Sequence, residues 1–194
     1  MLLLLQRLTV RFDAGEGATS ELQFREYEIG QRYGALPGAT RTGYAMIGWF
    51  TDRIGGLLAG ATSNVTAHAT LYAHWSPIVY RVAFDANGGA GTMGLQSFTY
   101  DQAQNLDRCL FVRGGYRFAG WSKLAAEDAL YADCQEVINL TAVPGLTVTS
   151  YAQWALGQNV IEFNANGGTG TMPPLAMEPG RVYKLPKCGL VKPD

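Results

Sequence analysis

The sequence predicts a β-rich chain, α+β at most, built from tandem repeat modules that each contain a sheet of about four strands. Three observations support this prediction. Aromatic phrases recur in a fixed order, the segments that carry them alternate apolar and polar residues as strands do, and 24 glycines provide for tight turns. The modules are therefore defined by the spacing of the phrases.

Three phrases recur along the chain. The first reads Phe-Asp-Ala-Asn-Gly-Gly in its fullest form, the second Gly-Tyr-x-x-x-Gly-Trp, and the third Tyr-Ala-x-Trp. The first occupies residues 12–17, 84–89 and 163–168, the second 43–49 and 115–121, and the third ends at Trp75 and Trp154. Three ordered phrases are far more specific than any one of them alone.

The distances between the phrases set the repeat boundaries. Phe12 to Trp49 and Phe84 to Trp121 are both 37 residues, and each closing tryptophan precedes the next phenylalanine by 9 residues. The spacing predicts a first repeat at 1–77 with an atypical start at 1–7, a second at 78–156, and a third at 157–194. The third stops before its Gly-Trp phrase, so we expect a fragment of a longer array in which 160–194 is poorly ordered or only partly packed.

The second repeat shows the order of the strands. The first strand contains Val82 and Phe84 and ends at Asn87-Gly88, a pair that tolerates the positive φ of a tight turn. The second strand covers 96–100, which is rich in β-forming residues. The Gly-Tyr to Gly-Trp phrase predicts the third strand, and 148–154 predicts the fourth.

Strict alternation in the third strand separates its aromatic side chains. It places Tyr116 and Phe118 on one face and Trp121 on the other. The first repeat has the same pattern, with Tyr44 and Met46 opposite Trp49. The glycine before each tryptophan either allows a close approach of backbone or ring, or marks a β-bulge.

The stretch between the two tryptophans of a repeat carries the length difference. It spans 26 residues in the first repeat and 33 in the second. Weak helical periodicity predicts a short helix over 127–138, whereas the shorter version at 51–67 is rich in Gly, Ser and Thr.

Composition excludes several classes of function. The net charge of −1 provides no basic surface for nucleic acid. The leucine-rich start lacks the cationic flank and length of a signal peptide, and no stretch reaches the roughly 18 apolar residues of a membrane helix. Neither C-x-x-C nor Cys/His metal spacing is present. Cys109 and Cys188 share one repeat position, which favours a small buried hydrophobe, and Cys134 has no counterpart.

The repeat also tests each candidate site, because a site built into the module recurs in every copy. His74 is replaced by Gln153, and no histidine lies outside the first repeat, which argues against His-dependent catalysis. The loop from Asp85 resembles the start of a calcium loop, but its twelfth position is Gln96 and its first becomes Asn164. The glycine run lacks the lysine of a phosphate loop. We therefore predict no catalytic residue, no cofactor and no metal.

The phrases resemble those of the Listeria–Bacteroides repeat family, which includes the B repeat of the listerial internalins. The matching residues are 84–93, 115–121, 151–154 and 163–172, and the first repeat departs at 15–17 and at Met46. The resemblance implies a small β-grasp-like module, found in tandem in secreted or wall-attached bacterial surface proteins as a spacer or adhesive segment. It implies no catalytic residue.

The recurring residues form a predicted structural signature of the fold. They are Phe12, Tyr44, Gly48, Trp49, Trp75, Phe84, Gly88, Tyr116, Phe118, Gly120, Trp121, Trp154, Phe163 and Gly167. Their aromatic members can be interpreted as a carbohydrate or peptide platform, but four tryptophans in two small repeats are needed to build two cores. The core interpretation is therefore preferred.

Three functions follow as hypotheses. The first is a non-enzymatic, extracellular or cell-wall-associated repeat segment that acts as a spacer, stalk or adhesive module beside neighbouring repeats. The second is a module that binds a host protein or glycan through a strand edge or aromatic face. An enzyme is third, and a hydrolase activity abolished by one substitution would revive it. Neither nucleic-acid binding nor membrane insertion of this segment is expected.

Overall fold

The computed structural model describes residues 7–192, and no helix occurs within that range. The strands are β1 (Arg7–Asp13), β2 (Ala18–Ser20), β3 (Phe24–Glu28), β4 (Ala39–Arg41), β5 (Tyr44–Phe50), β6 (Ala69–Pro77), β7 (Val79–Asp85), β8 (Gln96–Thr99), β9 (Gln104–Asn105), β10 (Tyr116–Ser122), β11 (Glu136–Val137), β12 (Thr147–Leu156), β13 (Asn159–Ile161) and β14 (Leu175–Met177). The predicted β-rich fold of tandem small sheets is confirmed.

Within the described residues, contacts divide the chain into two compact units. The first contains 7–81, 97–104 and 137–148, and the second contains 82–96, 105–136 and 149–192. The compact units do not follow the repeats, because the first unit takes in three segments of the second repeat, at 78–81, 97–104 and 137–148. The repeat boundaries remain a prediction from the spacing of the phrases.

The first repeat forms a six-stranded sheet in the order β2-β4-β5-β6-β1-β3. Strand β1 lies between β3, which is antiparallel to it, and β6, which is parallel to it. Every second residue of β1 is buried, namely Leu8, Val10 and Phe12, because one face of the strand covers the core. The core cluster also includes Tyr27, Trp49, Val65 and Leu71.

The second repeat forms a four-stranded sheet in the order β10-β12-β7-β8. These four strands are the ones that the alternation of the second repeat predicts. The first two repeats contain four short strands that were not predicted. In the first repeat, β2 and β4 extend the sheet beside β5. In the second repeat, β9 and β11 form a separate two-stranded sheet.

The helix predicted over 127–138 was wrong. The backbone N–H groups of Leu130 and Tyr131 both donate to the carbonyl oxygen of Trp121, at 2.7 and 2.9 Å. Gln135 closes a turn with Ala132 through a backbone bond of 3.3 Å and a side-chain bond of 2.7 Å. These backbone groups are bonded outside the helical pattern, and the loop is held against β10 instead.

The third repeat is only partly packed, as the sequence predicts. Strands β13 and β14 form a two-stranded antiparallel sheet. None of the residues 157–192 is buried. Two-stranded sheets are marginal on their own, because they lack a second layer to cover an apolar face.

Candidate functional site

The Gly-Trp end of the third strand contains a β-bulge. The register of β10 against β12 shifts between Phe118 and Gly120, so that Phe118 lies opposite Trp154 and Trp121 lies opposite Ala152. Trp154 and Ala152 are two residues apart on one face of β12. Phe118 and Trp121 therefore share a face, and the prediction that they lie on opposite faces was wrong because the extra residue reverses the alternation.

The first repeat has the same bulge. The register of β5 against β6 shifts between Met46 and Gly48, which places Met46 opposite Trp75 and Trp49 opposite Ala73. Trp49 thus faces the same side as Met46, again against the prediction. Both alternatives for the glycine before each tryptophan are observed: Gly48 and Gly120 lie at β-bulges, and the backbone of Tyr131 approaches Gly120 closely.

The bulge brings four of the five signature aromatics of the second repeat into one cluster. Trp121 is fully buried, and its ring centroid lies 4.7 Å from Phe84, 6.1 Å from Phe111 and 4.8 Å from Phe118. Trp154 adds an edge contact to Phe118 at 5.9 Å. Edge-to-face and tilted pairs of this kind stabilise small cores beyond the apolar area they bury.

The first repeat has a smaller version of this cluster. The rings of Phe12 and Trp49 meet edge to face at 5.1 Å, and both are buried. The indole N–H of Trp49 donates to the carbonyl oxygen of Pro37 at 2.8 Å. In contrast, the indole nitrogen of Trp121 is buried without a hydrogen-bond partner among the residues that the structure describes.

The turn within the first phrase has the same local bond in all three repeats. The side-chain oxygen of Asp13, Asp85 or Asn164 accepts a hydrogen bond from the backbone N–H two residues later, at 2.9, 2.7 and 2.7 Å. An amide oxygen serves as well as a carboxylate in this turn, which explains the change from Asp to Asn. Within residues 7–192, no group of three or more His, Cys, Asp or Glu could hold a metal ion.

The central residues of this turn require positive φ. Asn87 and Gly88 have φ of 45° and 82°, and Asn166 and Gly167 have 46° and 84°, as in a type I′ turn. The first repeat closes its turn one residue later, through a bond from the N–H of Ala18 to the carbonyl of Gly15. Phe163, which opens the third copy, is half-buried.

The closing tryptophan of each repeat is tied to this turn. The indole N–H of Trp75 donates to the carbonyl of Ala14 at 3.0 Å, and that of Trp154 donates to the carbonyl of Ala86 at 2.9 Å. Both bonds join the last strand of a repeat to the turn that follows its first strand. The third phrase therefore recurs because its tryptophan fastens the sheet.

His74 and Gln153 perform the same structural task. The Nε2 atom of His74 lies 2.9 Å from the carbonyl oxygen of Asp52, and the side-chain N–H of Gln153 donates to the carbonyl of Leu124 at 3.0 Å. Each carbonyl belongs to the third residue after the Gly-Trp tryptophan. His74 also stacks on Phe50 at 3.9 Å. This geometry gives the histidine a role in loop anchoring.

Asn87 makes a further contact that the other turns lack. Its side-chain amide donates to the carbonyls of Ala125 and Ala152 at 2.7 and 2.9 Å, joining the turn to the loop after Trp121 and to β12. Asn166 has the same backbone conformation in the third repeat but is exposed.

Replacing Asn87 by glycine is expected to lower the free energy of unfolding by about 1–3 kcal/mol, because the exposed carbonyl of Ala125 and the partly buried carbonyl of Ala152 both lose their donor. Glycine keeps the positive φ, so the backbone turn itself is preserved. Urea denaturation measures the change. The matched Asn166→Gly variant should alter the free energy by less than about 0.5 kcal/mol, and equal losses in both variants would contradict this account.

The signature tyrosines lie at the corner where the third strand begins. The guanidinium carbon of Arg41 lies 4.0 Å from the ring centroid of Tyr44, and that of Arg113 lies 4.3 Å from the ring centroid of Tyr116. Tyr44 is half-buried, but Tyr116 is 38% exposed. Tyr116 is therefore a surface side chain rather than the core residue that the sequence favours.

An open groove of about 450 Å³ lies on the first compact unit, at the end of β1 and along β6. Its lining includes the aromatic residues Tyr72 and Trp75, the arginines Arg41 and Arg53, and the apolar Ile54. Arg53 is paired with Asp13 at 2.6 Å, which leaves Arg41 as the cation of the groove without an ion pair in the described part of the chain. Ile54 is 93% exposed.

The cysteines share one local contact but differ in exposure. The thiols of Cys109 and Cys188 lie 3.9 and 3.8 Å from the carbonyl oxygens of Phe111 and Leu190, so the two positions are equivalent. Cys109 is half-buried, and burial raises the pKa of its thiol. Cys188 is exposed, so the prediction of a small buried hydrophobe was wrong there, because the third repeat has no buried layer. Cys134 is exposed.

The sequence model of the Listeria-Bacteroides repeat domain matches residues 9–74 and 80–143 of this chain. A protein of Evansella cellulosilytica with the provisional name "Gly-rich membrane protein" is 30% identical over 146 residues, covering 67% of this chain and 16% of that protein. A provisionally named membrane protein of the same organism is 25% identical over 134 residues, covering 66% of this chain and 18% of that protein.

The chain thus spans less than a fifth of the length of these two relatives. No solved structure was found to match it. Over residues 7–192, the structure contains no helix with the length and apolar character needed to cross a membrane.

Proposed function

Since the chain belongs to the Listeria-Bacteroides repeat domain family, we propose that it is a non-enzymatic tandem-repeat segment of a bacterial surface protein, with the role of a spacer or adhesive module. Its two relatives are named as membrane proteins, which supports a surface or membrane-associated parent protein. Within such a parent, the segment lies outside the cell, attached to the wall or the membrane through other parts of the protein.

One observation carries the proposal: the contacts that recur between repeats are those that hold the sheet together. The closing tryptophans bond to the turn carbonyl, the bulge glycines precede buried tryptophans, and His74 and Gln153 anchor equivalent loops. A module selected for catalysis repeats its reacting side chains, whereas a module selected as a building block repeats its packing.

A binding assay on the 194-residue chain tests the spacer role. The chain is passed over glycan and host-protein arrays at increasing concentration, and bound protein is measured. No saturable signal is the expected result. Saturable binding that one surface substitution abolishes would replace the spacer role with recognition.

A second candidate function is the binding of a glycan or host protein, and the groove on the first compact unit favours it. Aromatic faces beside a guanidinium suit a sugar ring that carries a carboxylate, since the ring stacks and the acid pairs. Arg41 and Trp75 supply these groups here. Arg41→Ala should abolish such binding, and Arg117→Ala, an exposed arginine outside the groove, provides the control.

A further inference from the structure

The turns after β3, β8 and β14, one in each repeat, all contain a residue with positive φ. Gly30 and Gly180 occupy this position in the first and third repeats, with φ of 81° and 77°. Asp101 occupies it in the second, with φ of 58°. The turns are equivalent, because in each the residue that follows donates its N–H to the carbonyl three residues before it, at 2.9, 3.2 and 3.4 Å.

A side chain at this position strains the backbone, since the conformation favours glycine. At Asp101 the side chain also makes contacts that glycine could not make. The carboxylate of Asp101 accepts a hydrogen bond from the hydroxyl of Tyr44 at 2.7 Å and another from the side-chain amide of Asn139 at 2.7 Å. The amide oxygen of Asn139 in turn accepts the backbone N–H of Asp101 at 2.7 Å.

These three residues come from two successive repeats. Tyr44 begins β5 of the first repeat, whereas Asp101 and Asn139 belong to the second. All three lie within the first compact unit. The carboxylate therefore joins the end of one sheet to a turn of the next repeat.

Backbone and ring contacts surround this junction. The N–H of Ile78 donates to the carbonyl of Gly43 at 3.0 Å, and the N–H of Tyr100 donates to the carbonyl of Ile78 at 2.9 Å. The ring of Tyr100 lies against Gly43 and meets Tyr44 edge to face at 5.9 Å. A side chain at Gly43 would overlap with the Tyr100 ring, so this contact requires glycine at position 43.

The next corner of the chain repeats the packing without the carboxylate. The N–H of Gly157 donates to the carbonyl of Gly115 at 2.9 Å, as Ile78 does to Gly43. Pro179 lies against Gly115, as Tyr100 lies against Gly43. Gly180 occupies the position equivalent to Asp101, and it has no side chain that could accept a hydrogen bond from the hydroxyl of Tyr116.

We propose that Tyr44, Asp101 and Asn139 form a clasp between successive repeats, and that the residue at the positive-φ turn position selects the kind of junction. Aspartate gives a clasped junction, and glycine gives a junction held by packing alone. The partner that fits the Gly-Tyr corner is thus a following repeat whose second strand ends in an aromatic residue and an aspartate. The clasp does not rest on the spacer role, because it concerns contacts between repeats whatever the array binds.

The charge of Asp101 gives the clasp a pH dependence. Hydrogen bonds from Asn139 and Tyr44, with the nearby guanidinium of Arg41, hold the pKa of Asp101 below its ordinary value of 3.8. A lowered pKa in the folded state means that the stabilisation is complete above the ordinary pKa and is lost as pH falls through the lowered one. NMR titration should place the Asp101 carboxyl midpoint below 3.8, with the Tyr100 amide shift following it; a midpoint at or above 3.8 would contradict the clasp.

Amide hydrogen exchange on the full chain tests the proposal directly. In Tyr44→Phe, exchange at Ile78 and Tyr100 should accelerate by about fivefold, the effect of losing one ordinary hydrogen bond. The matched Tyr116→Phe variant should leave exchange at Gly157 unchanged. Equal acceleration at the two corners, or no acceleration at either, would overturn the proposal.

The Asp101→Gly variant separates the clasp from general stability. Glycine accepts the positive φ of this turn without strain, so the turn bond from the N–H of Gln102 to the carbonyl of Thr99 should persist, with the parental exchange rate at Gln102. Exchange at Ile78 and Tyr100 should nevertheless accelerate as in Tyr44→Phe. A variant that keeps the parental exchange rates at both amides would show that Asp101 is a turn residue only.

Discussion

Replacing Gly120 by alanine is expected to lower the free energy of unfolding by about 3 kcal/mol or more, as strained backbone and overlap with fixed atoms combine. Gly120 has φ of 140°, and an added Cβ would lie 2.8 Å from the Cβ of Ala129 and would overlap with the backbone carbonyl of Tyr131. That carbonyl accepts the N–H of Trp121 at 2.7 Å and cannot withdraw without breaking the bond. Urea denaturation followed by tryptophan fluorescence measures the loss.

Two other glycines serve as controls for Gly120. Gly94 has no atom within 4 Å of an added Cβ and no positive φ, so Gly94→Ala should change the free energy by less than about 0.5 kcal/mol. Gly48→Ala should fall between the two, because the atom it meets at 2.7 Å is the end of the exposed Leu58 side chain, which can move. If Gly94→Ala lowers the free energy of unfolding as much as Gly120→Ala does, the conformation and close contacts of Gly120 at the bulge are not the reason that glycine is needed there.

Trp121→Ala is expected to cost about 3–5 kcal/mol, the range for removing a large buried aromatic side chain. The side chain is fully buried and contacts Phe84, Phe111 and Phe118. Its loss leaves a cavity that the fixed β10 backbone cannot close. The denaturation midpoint measures the effect, and Leu110→Ala, at a residue 65% exposed, provides the surface control.

A pair of phenylalanine variants refines this prediction. Trp49→Phe leaves the carbonyl of Pro37 without its indole donor, whereas Trp121→Phe removes an indole N–H that has no partner in the described part of the chain. Trp49→Phe should therefore cost about 1 kcal/mol more than Trp121→Phe, although both remove the same volume. The reverse order would show that packing around the rings, rather than hydrogen bonding, sets the difference.

Much of the fold could be predicted from the sequence, because its strongest signals are local and repeated. The alternation at Val82 and Phe84 and the Asn87-Gly88 pair predict β7 and its turn, and the structure has both. The recurrence of the phrase in three repeats also predicts that its turn recurs, and the same local bond forms at Asp13, Asp85 and Asn164. Strand periodicity and turn formation depend on residues that are close together in the sequence, so both can be predicted from a single sequence.

The errors concern features that depend on distant partners. The predicted face of Trp121 was wrong because β10 contains a bulge. A bulge is defined by the pairing of β10 with β12, and the alternation of residues within β10 does not reveal that pairing. The prediction of a helix over 127–138 was wrong because two backbone N–H groups of that loop, those of Leu130 and Tyr131, donate to the carbonyl oxygen of Trp121. The contact between Tyr44 and Asp101 joins residues 57 positions apart, and neither residue stands out in its own segment.

The parallel pairing of β1 and β6 determines how the first repeat responds when the chain is pulled. Val10 lies opposite Ala69 and Asp13 opposite Tyr72, so the first strand of the repeat and its last run side by side in the same direction. Tension applied at the two ends draws such strands past each other along their length. The backbone hydrogen bonds between them then share the load in shear instead of opening one after another.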